Sequence, residues 1–281
     1  MTPNGSQWAV KVPADSLRSY DLRVAAAKTH FERYVALGDS SAEGLDDPDG
    51  RGGYRGWADR LAERITSQQG SLQYANLAVR GRRTHQIRVE QLEAATTLRP
   101  SLATLFAGTN DVVSRRFDLA QVAGDLEAMQ TALIEGGATL LTFTLPELGP
   151  VLPLANRLAP RIESLNSAIR DICQRTGALL VDFAAYPVCV DPRLWSDDRL
   201  HANALGHERI AHALAHALGL PGADASWQSL LPPQPQPTWH QRVAAEVSWV
   251  KRHLVPWLWR HALGKSTGDR RQPKRPQLTP L

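Results

Sequence analysis

The sequence predicts an α/β domain built on a five-stranded parallel sheet covered by helices on both faces. Three observations carry this. Five short apolar runs recur along the chain, longer helical stretches stand between them, and 43% of the residues are hydrophobic, enough to bury a large core. The first run, Tyr34–Leu37, leads to a helical stretch around Trp57–Ser67. Leu72–Ala78 then precedes a helix over Thr84–Leu98, and Leu102–Ala107 one near Leu119–Glu135. Ala138–Leu145 precedes a helix near Arg161–Arg175, Ala178–Phe183 is the last run, and Ala204–Leu218 closes the domain.

Around this core, residues 1–33 read as a helical leader ending near Phe31, and residues 34–231 as the domain itself. Residues 232–281 are a Pro-rich linker, Pro232-Pro233-Gln234-Pro235-Gln236-Pro237, followed by a basic tail. The formal charge of +4 is uneven. The tail from Thr238 carries nine Lys/Arg against two Asp/Glu, a net +7 that leaves −3 on residues 1–237. A mildly acidic body argues against nucleic acid as a partner. Cys173 reads as a core residue and Cys189 as a loop thiol, not as a disulfide framework. No signal-like apolar stretch opens the chain and none is long enough to span a bilayer, so a cytoplasmic location is expected.

In open α/β sheets the carboxyl ends of the strands hold the ligand. Those ends carry Gly38-Asp39-Ser40, Arg80-Gly81-Arg82, Gly108-Thr109-Asn110-Asp111 and, after the fifth run, Asp197-Asp198-Arg199-Leu200-His201. A serine hydroxyl becomes a nucleophile when a histidine takes its proton and a third group orients that histidine. Asp198 and His201, three residues apart, suit the second and third roles, and Ser40 the first. An attacked carbonyl becomes an oxyanion, for which the Ser40 N–H, the Gly81 N–H and the Asn110 amide are candidate donors.

With these residues in view, the chain resembles the SGNH, or GDSL-like, hydrolases. GDSSAEG is similar to their first block, NLAVRG to their glycine block, GTND to their asparagine block and DRLH to their Asp-x-x-His block, in the family's order. Ser41 stands where many members have leucine. The resemblance implies a three-layer flavodoxin-like fold and ester hydrolysis by a serine esterase, without metal or organic cofactor. It assigns Ser40, Asp198 and His201 to a triad and Gly81 and Asn110 to the oxyanion hole. Thioester hydrolysis and carbohydrate O-deacetylation are open within the same chemistry. A non-catalytic binding module with a working tail is the alternative of another class.

Other residues have plainer readings. Asp39 and Asp111 suit turn and loop support, and Asp197 is a rival to Asp198 with poorer spacing. The LDDPDG stretch lacks the ligand pattern of a calcium loop, and His207, His212 and His216 lack a metal motif. Arg80 and Trp195 are candidates for substrate contact, at the cleft mouth and in an acyl pocket. In the tail, Trp239, Val243, Val247, Val250, Leu254 and Leu258 form one apolar stripe. It is expected to dock on the acidic body rather than a membrane, with the terminal run GDRRQPKRPQLTPL mobile or extended along the surface.

Overall fold

Strand-forming runs end at turn residues, and each helical stretch turns its apolar residues to one side, so the chain winds back and forth across a sheet. The computed structural model describes residues 30–147, 149, 153–235, 238–254, 256 and 268–281. The leader expected over residues 1–33 falls largely outside the described residues. Phe31, where it was to end, is extended and buried.

The five expected strands form as β1 (Arg33–Gly38), β2 (Gln73–Asn76), β3 (Leu102–Phe106), β4 (Thr139–Phe143) and β5 (Leu179–Val181). They pair in parallel in the order β5-β4-β3-β1-β2. The helices are α1 (Ser40–Glu43), α2 (Gly56–Gln69), α3 (Thr84–Thr97), α4 (Thr109–Val112), α5 (Leu119–Glu135), α6 (Ala159–Thr176) and α7 (Ala204–Ala217). Packing of α2 on α7, and of α5 on both α3 and α6, builds the two helical layers. In α3 the buried residues Thr84, Ile87, Gln91 and Ala95 follow one stripe of the helix. Between the layers Tyr34 stacks on Tyr74 at 5.0 Å, and Phe106 on Phe143 at 4.1 Å.

The sheet differs from expectation at one edge. A sixth strand, β6 (Arg275–Pro280), pairs antiparallel with β2, so the sheet is mixed rather than wholly parallel. The terminal run is therefore part of the body. Its prolines are compatible with this because an edge strand needs only one side of its backbone in the ladder. Covering β2 also removes an open edge. The segment is held by charge as well. Lys274 Nζ donates to the Tyr54 carbonyl at 3.0 Å and the Arg55 carbonyl at 2.7 Å, and pairs with Asp59 at 2.9 Å. Arg275 lies over the Tyr74 ring at 5.3 Å, as Arg80 does over Tyr54 at 5.1 Å. Gly268 passes so close to β2's loop that a Cβ there would lie 1.9 Å from the Arg80 carbonyl oxygen.

The helix α8 (Trp239–Trp249) opens with a capping box between Thr238 and Gln241, and passes into a π-turn over Val250–Leu254. Pro256 lies just beyond; it has no N–H to offer Arg252 and crowds that carbonyl, which favours a break in the α ladder here. The docking expectation for its stripe is corrected. Trp239, Val243, Val247 and Val250 are 67%, 53%, 50% and 38% exposed. What joins α8 to the body is polar: Arg199 pairs with Glu246 at 2.8 Å, and Trp249 Nε1–H donates to the Asp198 carbonyl at 3.2 Å. Leu258 lies outside the described residues.

Removing Lys274 takes the cation from Asp59, which keeps the Tyr74 hydroxyl at 2.7 Å, and takes a donor from two carbonyls in a mostly buried site. Lys274→Ala is expected to lower stability by about 2–4 kcal/mol, measured by denaturant unfolding, and Asp59→Asn in the same chain to recover part of it.

Candidate active site

The nucleophile candidate stands where β1 stops. Gly38 has φ +150°, and a Cβ there would meet the Phe106 carbonyl oxygen at 2.5 Å, so only glycine lets β1 and β3 close together at this point. The buried Gln91 side chain holds the turn from α3. Its amide accepts from Gly38 N–H and donates to Gly38 C=O, both at 2.9 Å. Asp39 caps α1 by accepting from Ser41 N–H at 3.0 Å. From β2, Asn76 Nδ2 donates to the Ala42 carbonyl at 2.8 Å, tying the short helix to the sheet. Ser40 is thereby set at the first position of α1, where a helix N–H has no intrahelical acceptor.

His201 arrives from a tight loop ahead of α7. Ser196 N–H donates to the His201 carbonyl at 2.8 Å, Trp195 bridges Ala202, and Arg199 takes φ +61° to complete the turn. Asn203 caps α7 through Leu205 and Gly206 N–H, and its amide donates to the Arg193 and Trp195 carbonyls. In this loop Asp198 Oδ1 accepts from Ser196 Oγ, Leu200 N–H and His201 N–H at 2.7, 2.9 and 3.0 Å. The other oxygen, Oδ2, accepts from His201 Nδ1–H at 2.6 Å. That fixes the tautomer: Nε2 carries the lone pair and accepts from Ser40 Oγ–H at 2.8 Å. Asp197 is exposed and outside this chain of bonds.

The charges follow from these contacts. Burial would raise the Asp198 pKa, but the His201 hydrogen bond and charge outweigh it and hold the carboxyl far below the usual range. Burial likewise disfavours the His201 imidazolium, yet Asp198 outweighs it and raises the His201 pKa. Asp46 adds to this from 3.9 Å. Burial pushes Asp39 up to about 6, against the Ser41 N–H and the Asn110 amide.

Asn110 reaches the site from α4, but its amide is engaged: Nδ2 donates to Asp39 Oδ2 at 3.0 Å and to the Arg82 carbonyl at 3.1 Å. Asp111 faces the other way and receives Thr84 N–H and Oγ1–H at 2.9 and 2.7 Å. Gly81 follows β2 with φ +74°. The two residues expected to contact substrate are both engaged within the fold. The Arg80 guanidinium is 8% exposed in its residue and forks onto Glu43, which also accepts Arg80 N–H at 2.8 Å. A buried cation takes the nearest carboxylate, and here that lies inside the body. Trp195 is tied by Nε1–H to the Cys189 carbonyl at 3.1 Å and serves the His201 loop.

Three contributors escape a sequence reading. Gln91 sits mid-helix with no motif around it. Asn76 opens the NLAVRG block, but nothing in that block shows that it holds the Ala42 carbonyl. Asp46 lies in the LDDPDG stretch, whose neighbours serve structure: Asp47 holds Arg60 and Gly56 N–H, and Asp49 holds Arg51 and Gly53 N–H. The three histidines of α7 are also bound to the fold. His207 accepts from Trp57 N–H and donates to the Leu45 carbonyl, while His212 and His216 accept from Asp224 N–H and Trp227 Nε1–H. Among the described residues, Asp46, Asp198 and His201 form a cluster with ligand atoms within 4.8 Å, but His201 Nδ1 already gives its proton to Asp198.

The sequence profile of the GDSL-like lipase/acylhydrolase family matches residues 36–209, a span that includes Ser40, Gly81, Asn110, Asp198 and His201. Solved structures share the fold. TesA aligns with a TM-score of 0.56 at 18% identity over 66% of this chain and 98% of its own. A catalytic mutant of Axe2, an acetylxylan esterase from Geobacillus stearothermophilus, aligns at 0.57 with 16% identity over 69% and 97%. EstA, an esterase from Pseudoalteromonas sp., aligns at 0.54 with 17% identity over 67% and 97%. No curated protein sequence matches the chain.

In an NMR titration His201 is expected to lose its proton above the ordinary histidine value of about 6.5. Asp198→Asn removes the charge that favours the imidazolium and leaves the burial that opposes it, so the midpoint is expected to fall. His207, which burial pushes down to about 4, is expected to stay neutral throughout the neutral range.

Proposed function

Because the chain belongs to the GDSL-like lipase/acylhydrolase family, whose members hydrolyse ester bonds, we propose that it cleaves carboxylic acid esters through an acyl-enzyme on Ser40. The reading rests on one observation above all: Ser40 Oγ, His201 and Asp198 are joined by hydrogen bonds of 2.8 and 2.6 Å. Ser40 Oγ attacks the ester carbonyl while His201 Nε2 takes its proton. Asp198 orients the ring and stabilises the imidazolium that forms. The carbonyl oxygen becomes an oxyanion received by the Ser40 and Gly81 N–H groups. Asn110 supplies a third donor by exchanging its bond to the Arg82 carbonyl for one to the oxyanion. Collapse of the intermediate breaks the C–O bond, and His201 returns the proton to the departing alcohol. Water, deprotonated by His201, then attacks the acyl-enzyme and releases the acid and free Ser40.

The same steps apply to thioesters and to O-acetyl groups of carbohydrates, since each presents an acyl carbonyl with a leaving group. A panel of acyl esters from acetyl to palmitoyl, extended to an acyl thioester and an acetylated sugar, separates these substrates.

Purified protein is expected to hydrolyse p-nitrophenyl acetate, and Ser40→Ala to abolish turnover while keeping the melting temperature. A fluorophosphonate probe is expected to label Ser40 alone. Undiminished hydrolysis in Ser40→Ala would overturn the nucleophile, and no hydrolysis by the unaltered chain would favour a binding module. Asn110→Ala is expected to lower kcat roughly a hundredfold or more with a smaller change in KM. A raised KM with kcat unchanged would make Asn110 a ground-state binding residue. With His201 as base, kcat/KM rises with pH as the imidazolium is lost, and in Asp198→Asn that limb moves to lower pH.

A further inference from the structure

A helix that packs on a body turns its apolar residues inward, and α8 does the reverse. Trp239, Val243, Val247 and Val250, spaced by three and four residues, share one stripe on its outer side, and each is exposed. Lys251 and Arg252 adjoin the end of that stripe and are exposed as well. The one acidic residue of α8, Glu246, has its charge taken by Arg199. The helix therefore offers water an apolar stripe followed by cations.

The edge of α8 next to that stripe is fixed to the catalytic loop. Trp249 Nε1–H donates to the carbonyl of Asp198, and Arg199, next in sequence, lies over the Trp249 ring at 5.1 Å while pairing with Glu246. These contacts hold the helix by its polar and aromatic edge and leave the valines outward. An apolar stripe bordered by cations on a helix lying along the protein surface is the pattern that partitions into a lipid interface. The apolar side chains enter the acyl boundary and the cations meet anionic headgroups.

We propose that α8 is a docking surface for an anionic lipid bilayer, which it meets with Trp239, Val243, Val247 and Val250 buried and Lys251 and Arg252 at the headgroups. Charge complementarity selects this occupant. The stripe by itself would suit a neutral partner, but exposed Lys251 and Arg252 beside it, with Glu246 already paired to Arg199, make an anionic surface the favoured one. Docking there brings the loop of Asp198 and His201 close to the lipid, so an ester dissolved in the bilayer would lie beside Ser40.

The test is co-sedimentation of the full chain with phosphatidylglycerol vesicles and with phosphatidylcholine vesicles, at low and high salt. The protein is expected to pellet with phosphatidylglycerol, less with phosphatidylcholine, and less in high salt. Val243→Glu with Val247→Glu is expected to weaken the partition at least about tenfold, because both apolar anchors become charged. Lys251→Glu with Arg252→Glu is expected to remove the preference for the anionic vesicle. Both variants are expected to keep the p-nitrophenyl acetate rate, which reports an intact fold. Ser40→Ala is expected to pellet as the unaltered chain does, so binding is judged apart from the hydrolysis proposed above. Protein left in the supernatant with phosphatidylglycerol would overturn the proposal, as would equal pelleting of the valine variant. A dimer in size exclusion that the valine variant loses would overturn it in favour of a second copy of this chain on the stripe.

Discussion

Two hydrogen bonds between the Gln91 side chain and the backbone of Gly38 hold the point on which the rest of the site depends. β1 must stop there, turn within one residue and start α1 with Ser40 at its head. The backbone at Gly38 is in a conformation that side chains avoid, and it lies against β3 with no room for a Cβ. Each bond of the clasp is worth about 1 kcal/mol on average, but its value here is positional. Gln91 belongs to α3, so the nucleophile candidate is referenced to a helix as well as to the sheet. Asn76 does the same from β2 through the Ala42 carbonyl. Losing either would leave a buried backbone group unpaired and let α1 shift.

The charged part of the site has a different foundation. Asp198 Oδ1 accepts three donors of its own loop, which aims Oδ2 at the His201 ring, and the His201 hydrogen bond and charge keep the carboxyl ionised against its burial. The loop in turn is built by Arg199 in a left-handed conformation and by Asn203, whose side chain caps α7 while its amide ties back to Arg193 and Trp195. Strain of this kind persists where surrounding bonds over-determine it. The consequence is an imidazole held in one tautomer with its lone pair on Ser40. A raised His201 pKa follows directly, since the fixed carboxylate favours the cation more than burial opposes it.

The tail divides into two parts with opposite behaviour. β6 is integrated by backbone pairing and by Lys274 at Asp59, and the described chain from Gly268 onward lies against the loop of Arg80 and Gly81. Among the described residues, α8 is held at its polar edge, beside Asp198. The body is thus completed by the last residues of the sequence, while the helix between linker and strand leaves its apolar stripe exposed. No described helix is long and apolar enough to cross a membrane.

What the sequence by itself determined is everything encoded by local period and local spacing. The five apolar runs became five strands within one or two residues at most ends, and Ala204–Leu218 became α7. Ser40 after a strand, and Asp198 three residues before His201, were legible because the chemistry needs those types at strand ends and in one loop. What only the tertiary structure decided involves partners far apart in the chain. Arg80 looked outward until Glu43 took its guanidinium, and Asn110 was read as a free donor until Asp39 and the Arg82 carbonyl engaged it. Gln91 and Asp46 carry no local signal, and Asn76 carries one only as the start of NLAVRG, since each acts on a residue brought to it by the fold. The GDRRQPKRPQLTPL run has the composition of a mobile end, yet β2 presents an open edge and Asp59 a buried charge, and these long-range partners turn Pro and Arg into a strand. The stripe on α8 was visible as a period of three and four, but a period states only that one face is apolar; which way that face turns depends on where Asp198, Arg199 and β6 fix the helix in space.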